Sequence, residues 1–246
     1  VLLENHYNIN NLNGMLLSPD KITMLHETGQ YYNKYGIEYI LKKIYTGAAG
    51  EQLIRKASIP LLYSSIYYLP QSYIVNKEVF DYEFELTHKD LFAVLENISD
   101  MVFIDTESKG NASSVQILEE ADIVVVNIDQ DREAWEDYFD NYASLLEKSV
   151  FLVGRYEKEN PFHCHRIMKE YQIPQGKIGV IPYNVDLQIA AAEGRIIPFL
   201  NRNYLRSSRA ENDYFMGELK NSVIMLKENM IQRGRMKMLH RRNNNE

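Results

Sequence analysis

The run Ile123-Val124-Val125-Val126 constrains the fold more than any other stretch of the chain. No polar residue alternates within it, so as a strand it must be covered on both faces, as a central strand of a parallel sheet flanked by helices is. Comparable short runs, rich in β-branched or aromatic residues, predict strands over residues 1–3, 66–69, 101–105, 123–127, 150–154 and 178–181. Between them, residues 37–45, 91–95, 135–146 and 165–171 space apolar side chains three and four apart, the pattern of amphipathic helices. The pair Asn160-Pro161 reads as a helix start, with Asn as cap and Pro at the first helical position. From Ala210 onward, Phe215, Leu219, Leu226 and Met230 predict a last long helix. Strand and helix alternate, which is the mark of βαβ units. The expected fold is α/β, a doubly wound, mostly parallel sheet with helices on both faces.

A chain of 246 residues has room for one large α/β domain. With 45% apolar and 25% charged residues it falls among globular chains rather than disordered ones. The longest apolar runs fall far short of the roughly 20 residues that span a bilayer. The single cysteine, Cys164, forms no internal disulfide, so a reducing cytoplasm is the default compartment. A net charge of −7 excludes a surface that coats nucleic acid throughout, although Arg233, Arg235, Lys237, Arg241 and Arg242 make a basic end. The sequence opens on Val1-Leu2-Leu3 with no turn or capping signal before it, so motifs belonging upstream are expected to lie outside it.

Asp100-Met101-Val102-Phe103-Ile104-Asp105-Thr106 is a buried strand ending in a carboxylate, the form of a Walker B strand. In an open parallel sheet ligands bind beyond the carboxyl ends of the strands, where Asp105 would hold Mg²⁺ through water. Glu120-Ala121-Asp122 with its apolar run follows, then Val150-Phe151-Leu152-Val153-Gly154-Arg155, then Ile178-Gly179-Val180-Ile181-Pro182-Tyr183-Asn184. This succession resembles the ParA/MinD family of deviant Walker P-loop ATPases, in which an "IDT" strand, an "AD-hydrophobic" strand, a "V-x-N-R" strand and an "IPY" strand come in this order. Tyr68-Leu69-Pro70-Gln71-Ser72 is similar to the family's "LPG" strand end, and Ala190 to Gly194 to its "A…G" helix. Val1 to Leu12 resembles the second strand and switch, "VLLIDxDxxxxNL", with Asn5 and Tyr7 in place of the two aspartates.

The resemblance implies a P-loop NTPase-like fold incomplete at the N-terminus, its first strand and glycine-rich phosphate loop upstream of Val1. Residues 1–205 would be the nucleotide-binding domain and 206–246 a C-terminal helix with a basic tail. It implies ATP and Mg²⁺ as cofactors. Asp105 would be the magnesium-linked carboxylate, Thr106 and Arg155 further cofactor-binding residues, and Pro182, Tyr183 and Asn184 a loop against the adenine. It also implies a homodimer that positions or partitions a cellular assembly through a protein partner, at the membrane or nucleoid periphery. A tyrosine is no base at neutral pH, so the change at Tyr7 weakens hydrolysis. Gly154 replaces an asparagine that reads the adenine edge, and Glu107-Ser108-Lys109-Gly110 replaces the usual switch. These changes resemble the TadZ/CpaE-like members of pilus assembly, and leave open a non-catalytic interaction scaffold.

The remaining candidates have plain readings. His163-Cys164-His165 lacks a second ligand pair and reads as surface or packing. Asp129, Asp131 and Glu133 read as a helix start, where carboxylates suit the helix dipole. Tyrosines 63, 67, 68, 73 and 82 read as strand and loop packing rather than a base-stacking platform. The basic tail reads either as a solvated end or as a contact for DNA or an anionic membrane.

Overall fold

The structure is a computed structural model, and it describes residues 1–6, 11–27, 34–48, 50–71, 76–107, 110–205 and 209–243, with the side chains of 11, 25–27 and 235–243 left aside. It forms two compact units, Val1–Ile117 with Leu187–Asn201 and Leu118–Asp186 with Arg202–Glu246.

The first unit holds β1 (Leu2–Asn5), α1 (Asn11–Leu16), α2 (Pro19–Glu27), α3 (Ile37–Tyr45), α4 (Glu51–Ala57), β2 (Ile59–Pro60), β3 (Tyr67–Leu69), α5 (Lys77–Ile98) and β4 (Phe103–Thr106), after which α6 (Ala112–Glu120) begins. Its sheet has the order β2-β3-β1-β4, with β1 parallel to both β3 and β4 and only β2 antiparallel. Side chains alternate across it, as the pleat requires. Leu3 and Leu69 enter a core with Ile40 and Leu41 of α3 and Phe84 and Leu91 of α5. Leu2 and Tyr68 face the other way, with Leu17, Ile59 and Leu61. The strand predicted at 1–3 runs on to Asn5 and takes two polar residues into the interior, Glu4 and Asn5, both fully buried.

In the second unit, β5 (Val124–Ile128), β6 (Ser149–Tyr156) and β7 (Ile178–Pro182) form a parallel sheet of that order. Around it lie α7 (Arg132–Asn141), α8 (Cys164–Glu170) and α11 (Ala210–Asn243), while α9 (Val185–Ala192) and α10 (Ile196–Tyr204) are each divided between the two units. One face of β6, Phe151 and Val153, packs with Trp135 and Ile167, and the other, Val150 and Leu152, packs with Met225 of α11. Both faces of β6 are therefore covered, whereas β5, the outer strand of this three-stranded sheet, buries Val124, Val126 and Ile128 and leaves Val125 41% exposed, so the run at 123–126 is not the doubly covered central strand expected of it. Ser222 of α11 accepts from the Val180 N–H at 3.0 Å and donates to the Val180 carbonyl at 2.8 Å, which occupies polar groups that an edge strand would expose. Lys148 closes the C-terminus of α6 by donating to the carbonyls of Leu118, Glu119 and Ala121.

Two further expectations shift. The helix predicted over 135–146 ends at Asn141 and resumes as a 3₁₀ turn over Ala143–Lys148. No helix starts at Asn160-Pro161: Asn160 instead accepts from the Phe162 N–H in a local turn, and α8 is capped by His163, whose Nδ1 accepts from the Arg166 N–H. Asp131 caps α7, as the acidic cluster implied. Among the described residues no helix is long and apolar enough to cross a membrane.

Candidate functional site

At the carboxyl end of the first sheet, β1 and β4 lie side by side with Glu4 opposite Asp105 and Asn5 opposite Thr106. Asp105 keeps 43% of its side chain exposed, and His6, just past β1, brings Nε2 to 3.2 Å from its Oδ2. Nε2 lies in line for no hydrogen bond, so the contact is that of an ion pair. The close polar contact with Asp105 raises the His6 pKa, and the charges of Asp105, Glu4 and Glu107 add to it against desolvation. Gln71, at the end of β3, accepts from the His6 backbone N–H at 2.5 Å and fixes the turn out of β1.

Glu4 is the residue that sequence reasoning passed over. Burial pushes its carboxyl up to about 7, although the Tyr68 hydroxyl at 2.8 Å and the Leu12 N–H at 3.2 Å both favour its charged form. The signal was a carboxylate inside an otherwise apolar strand, between Leu3 and Asn5.

Asn5 sits in a cluster of hydroxyls. Its Nδ2 donates to Ser114 Oγ at 3.1 Å, Ser113 Oγ at 3.2 Å and Thr106 Oγ1 at 3.3 Å. Thr106 and Ser114 share a further 2.6 Å hydrogen bond. Thr106 is thus turned into the interior, whereas Asp105 presents its carboxylate outward. Tyr7, Ser108 and Lys109 lie outside the described residues.

A Mg²⁺ ion carried by phosphates needs only one or two protein carboxylates and keeps several waters. Half-exposed Asp105 fits that role alone. Among the described residues no three carboxylate, imidazole or thiol groups converge as a metal cluster. His163 spends a ring nitrogen on its cap, and burial pushes the Cys164 thiol pKa up, away from the reactive thiolate.

At the carboxyl end of the second sheet the strand register slips between Val153 and Tyr156, and Arg155 takes a left-handed φ of 42°. This bulge turns the Arg155 side chain to Asp129, just past β5: Nε donates to Oδ2 at 2.8 Å and Nη2 also contacts Oδ2. The Asp129 carbonyl is held from behind by the indole N–H of fully buried Trp135 at 2.9 Å. The turn after β6 is pinned by Gln130, which bonds the backbone of Glu157 and Phe162. Pro182, expected in the loop, is the buried last residue of β7, and after it Tyr183 is exposed and Asn184 points inward, donating to Asn212 at 2.8 Å. Only the loop's backbone and Tyr183 face outward.

Of the tyrosines singled out, Tyr68 is wholly buried, Tyr63 and Tyr82 are exposed, Tyr67 lies under Arg55, and Tyr73 is outside the described residues. In the basic tail, Arg233 pairs with Glu147.

No protein-family model matches the sequence, and no curated protein matches it. Solved structures do. A ParA family ATPase from Chlorobium tepidum TLS superposes with a TM-score of 0.64 at 12% identity, covering 87% of this chain and 82% of its own. A plasmid partition protein of Borrelia burgdorferi B31, bound to AMPPNP, gives 0.58 at 17% identity over 92% and 86%. The cell division ATPase MinD of Pyrococcus furiosus gives 0.57 at 13% over 89% and 85%. The strand order, the helices on both sheet faces and these superpositions agree: the fold is that of the ParA/MinD-type ATPases.

Proposed function

We propose that this chain is the nucleotide-binding body of a ParA/MinD-like protein that binds ATP with Mg²⁺, forms a homodimer and positions or partitions a cellular assembly through a protein partner, with weak or no hydrolysis. The observation that carries this reading is Asp105, a half-exposed carboxylate at the carboxyl end of a parallel strand, in a fold whose neighbours are ATPases of partition and cell division. One of those neighbours holds a nucleotide analogue. Asp105 would hold the Mg²⁺ that the phosphates bring. When bound, Mg²⁺ supplies charge neutralisation for the phosphates. Weak hydrolysis is inferred from Tyr7, a phenol that offers no base at neutral pH where the resemblance expects the water-activating carboxylate, and from Asn5, whose amide bonds to hydroxyls in place of the other carboxylate.

The test uses the protein as it occurs naturally. Calorimetric titration with ATP should give one saturable site per protomer in Mg²⁺ and a weaker one in EDTA. Phosphate release under the same conditions should stay near background. Absence of ATP binding by the full-length protein would reject the reading. A second reading, a scaffold that has lost nucleotide, is favoured by His6 sitting on the carboxylate that would face the metal. It expects no heat of binding in either buffer.

A further inference from the structure

Gly154 replaces the family's adenine-reading asparagine, yet the space its side chain would fill is taken. A Cβ built on Gly154 would lie 2.6 Å from Asp129 Oδ1 and 2.7 Å from Asn127 Oδ1. Two acceptor oxygens from the end of the neighbouring strand therefore converge over the Gly154 backbone. Asn127 is exposed, belongs to β5 and makes no side-chain hydrogen bond among the described residues. Asp129 is fixed: Arg155 takes its Oδ2 and Trp135 its carbonyl, which leaves Oδ1 aimed at the same point.

An unspent amide beside a fixed carboxylate oxygen, at the carboxyl end of a parallel strand, is placed where such sheets bind ligands. We propose that Asn127, with Asp129 Oδ1 beside it, reads the adenine edge of the bound nucleotide, the specificity-determining amide being carried on β5 instead of β6. This rests on the nucleotide-binding reading above. The chemistry is selective. An asparagine amide matches adenine with one acceptor for the N6 amino group and one donor for a ring nitrogen. Guanine turns an O6 lone pair toward the same oxygens and is repelled. Gly154 is the counterpart of this arrangement, because any side chain there would displace both oxygens.

The test uses the full-length protein with ATP and GTP as probes and compares it with Asn127→Ala and Asn127→Asp. Asn127 is exposed and makes no bond, so both variants should melt as the unsubstituted protein does. The expected result is ATP bound in preference to GTP, and an Asn127→Ala Kd for ATP raised about tenfold with that for GTP little changed. Asn127→Asp, which loses the donor, should fall at least as far. ATP binding with an unaltered preference in Asn127→Ala would overturn this inference while leaving nucleotide binding intact, and so would a preference for GTP in the unsubstituted protein. No binding of either nucleotide to the unsubstituted protein would overturn both readings.

Discussion

The Tyr68 hydroxyl lies 2.8 Å from the Glu4 carboxyl and, with a single proton to give, also 2.8 Å from the side-chain amide oxygen, Oδ1, of Asn13. If Glu4 is ionised, one of those two acceptors goes without that proton. If Glu4 is protonated, it can donate to Tyr68 while Tyr68 donates to Asn13, and the chain closes. Burial pushes the Glu4 carboxyl toward this second arrangement, up to about 7.

A pH dependence follows. Between the ordinary value of 4.5 and about 7, the folded protein keeps a proton on Glu4 that the unfolded chain has released. Stability therefore falls as pH rises through that window, by up to roughly 3 kcal/mol. His6 acts in the same direction, since its raised pKa gives stability that is complete below 6.5 and lost as pH rises through the folded value. Urea midpoints should be lower at pH 8 than at pH 5.5, and Glu4→Gln should flatten the slope. A midpoint that climbs with pH would be incompatible with a protonated Glu4.

Replacing Asn5 by Ala leaves the hydroxyls of Thr106, Ser113 and Ser114 short of a partner in the interior. Chemical denaturation should show a loss of about 1–3 kcal/mol. Asn5→Asp should retain more of that stability, because hydroxyls can turn to donate to a carboxylate.

Gly154→Ala places a methyl group against Asn127 and Asp129. A loss of about 1–3 kcal/mol is expected from the overlap, since the exposed Arg155–Asp129 pair itself contributes little. Combining it with Asn127→Ala should cost less than the sum of the two, as the clash is shared. Strict additivity in denaturation would place the two residues out of contact.

Trp135 is the protein's one tryptophan and is fully buried between Phe151 and Tyr171. Its emission should be blue-shifted in the native state, and it should move on nucleotide binding because its N–H holds the Asp129 carbonyl. Trp135→Ala should destabilise by about 3–5 kcal/mol.

The six parallel strands were legible as short apolar runs, but only the run at 150–153 is buried on both faces; Val125 in β5 and Phe103 in β4 are exposed although their runs do not alternate. β2 was not, being two residues long and ending in Pro60. α9, whose apolar residues leave no stripe, was marked only by the resemblance at Ala190 to Gly194, and its start at Val185 was not seen. Asp105 was visible as a carboxylate closing an apolar strand. Its neighbours were not. His6 meets it only through the pairing of β1 with β4, and Tyr68 reaches Glu4 across 64 residues of sequence. Asn127 could be connected with Gly154 only once the register of β5 on β6 and the bulge after Val153 were known. A side chain absent from one strand can be replaced from the next, and a linear motif does not record that.

Nucleotide binding through Asp105 is tested most directly by the Mg²⁺ dependence of ATP affinity in the full-length protein and in Asp105→Ala. Calorimetry should show ATP bound more tightly in Mg²⁺ than in EDTA, and that difference should collapse in the variant at a temperature where both proteins are folded. An unsubstituted protein that binds no ATP, or a variant that keeps the full Mg²⁺ effect, would contradict it.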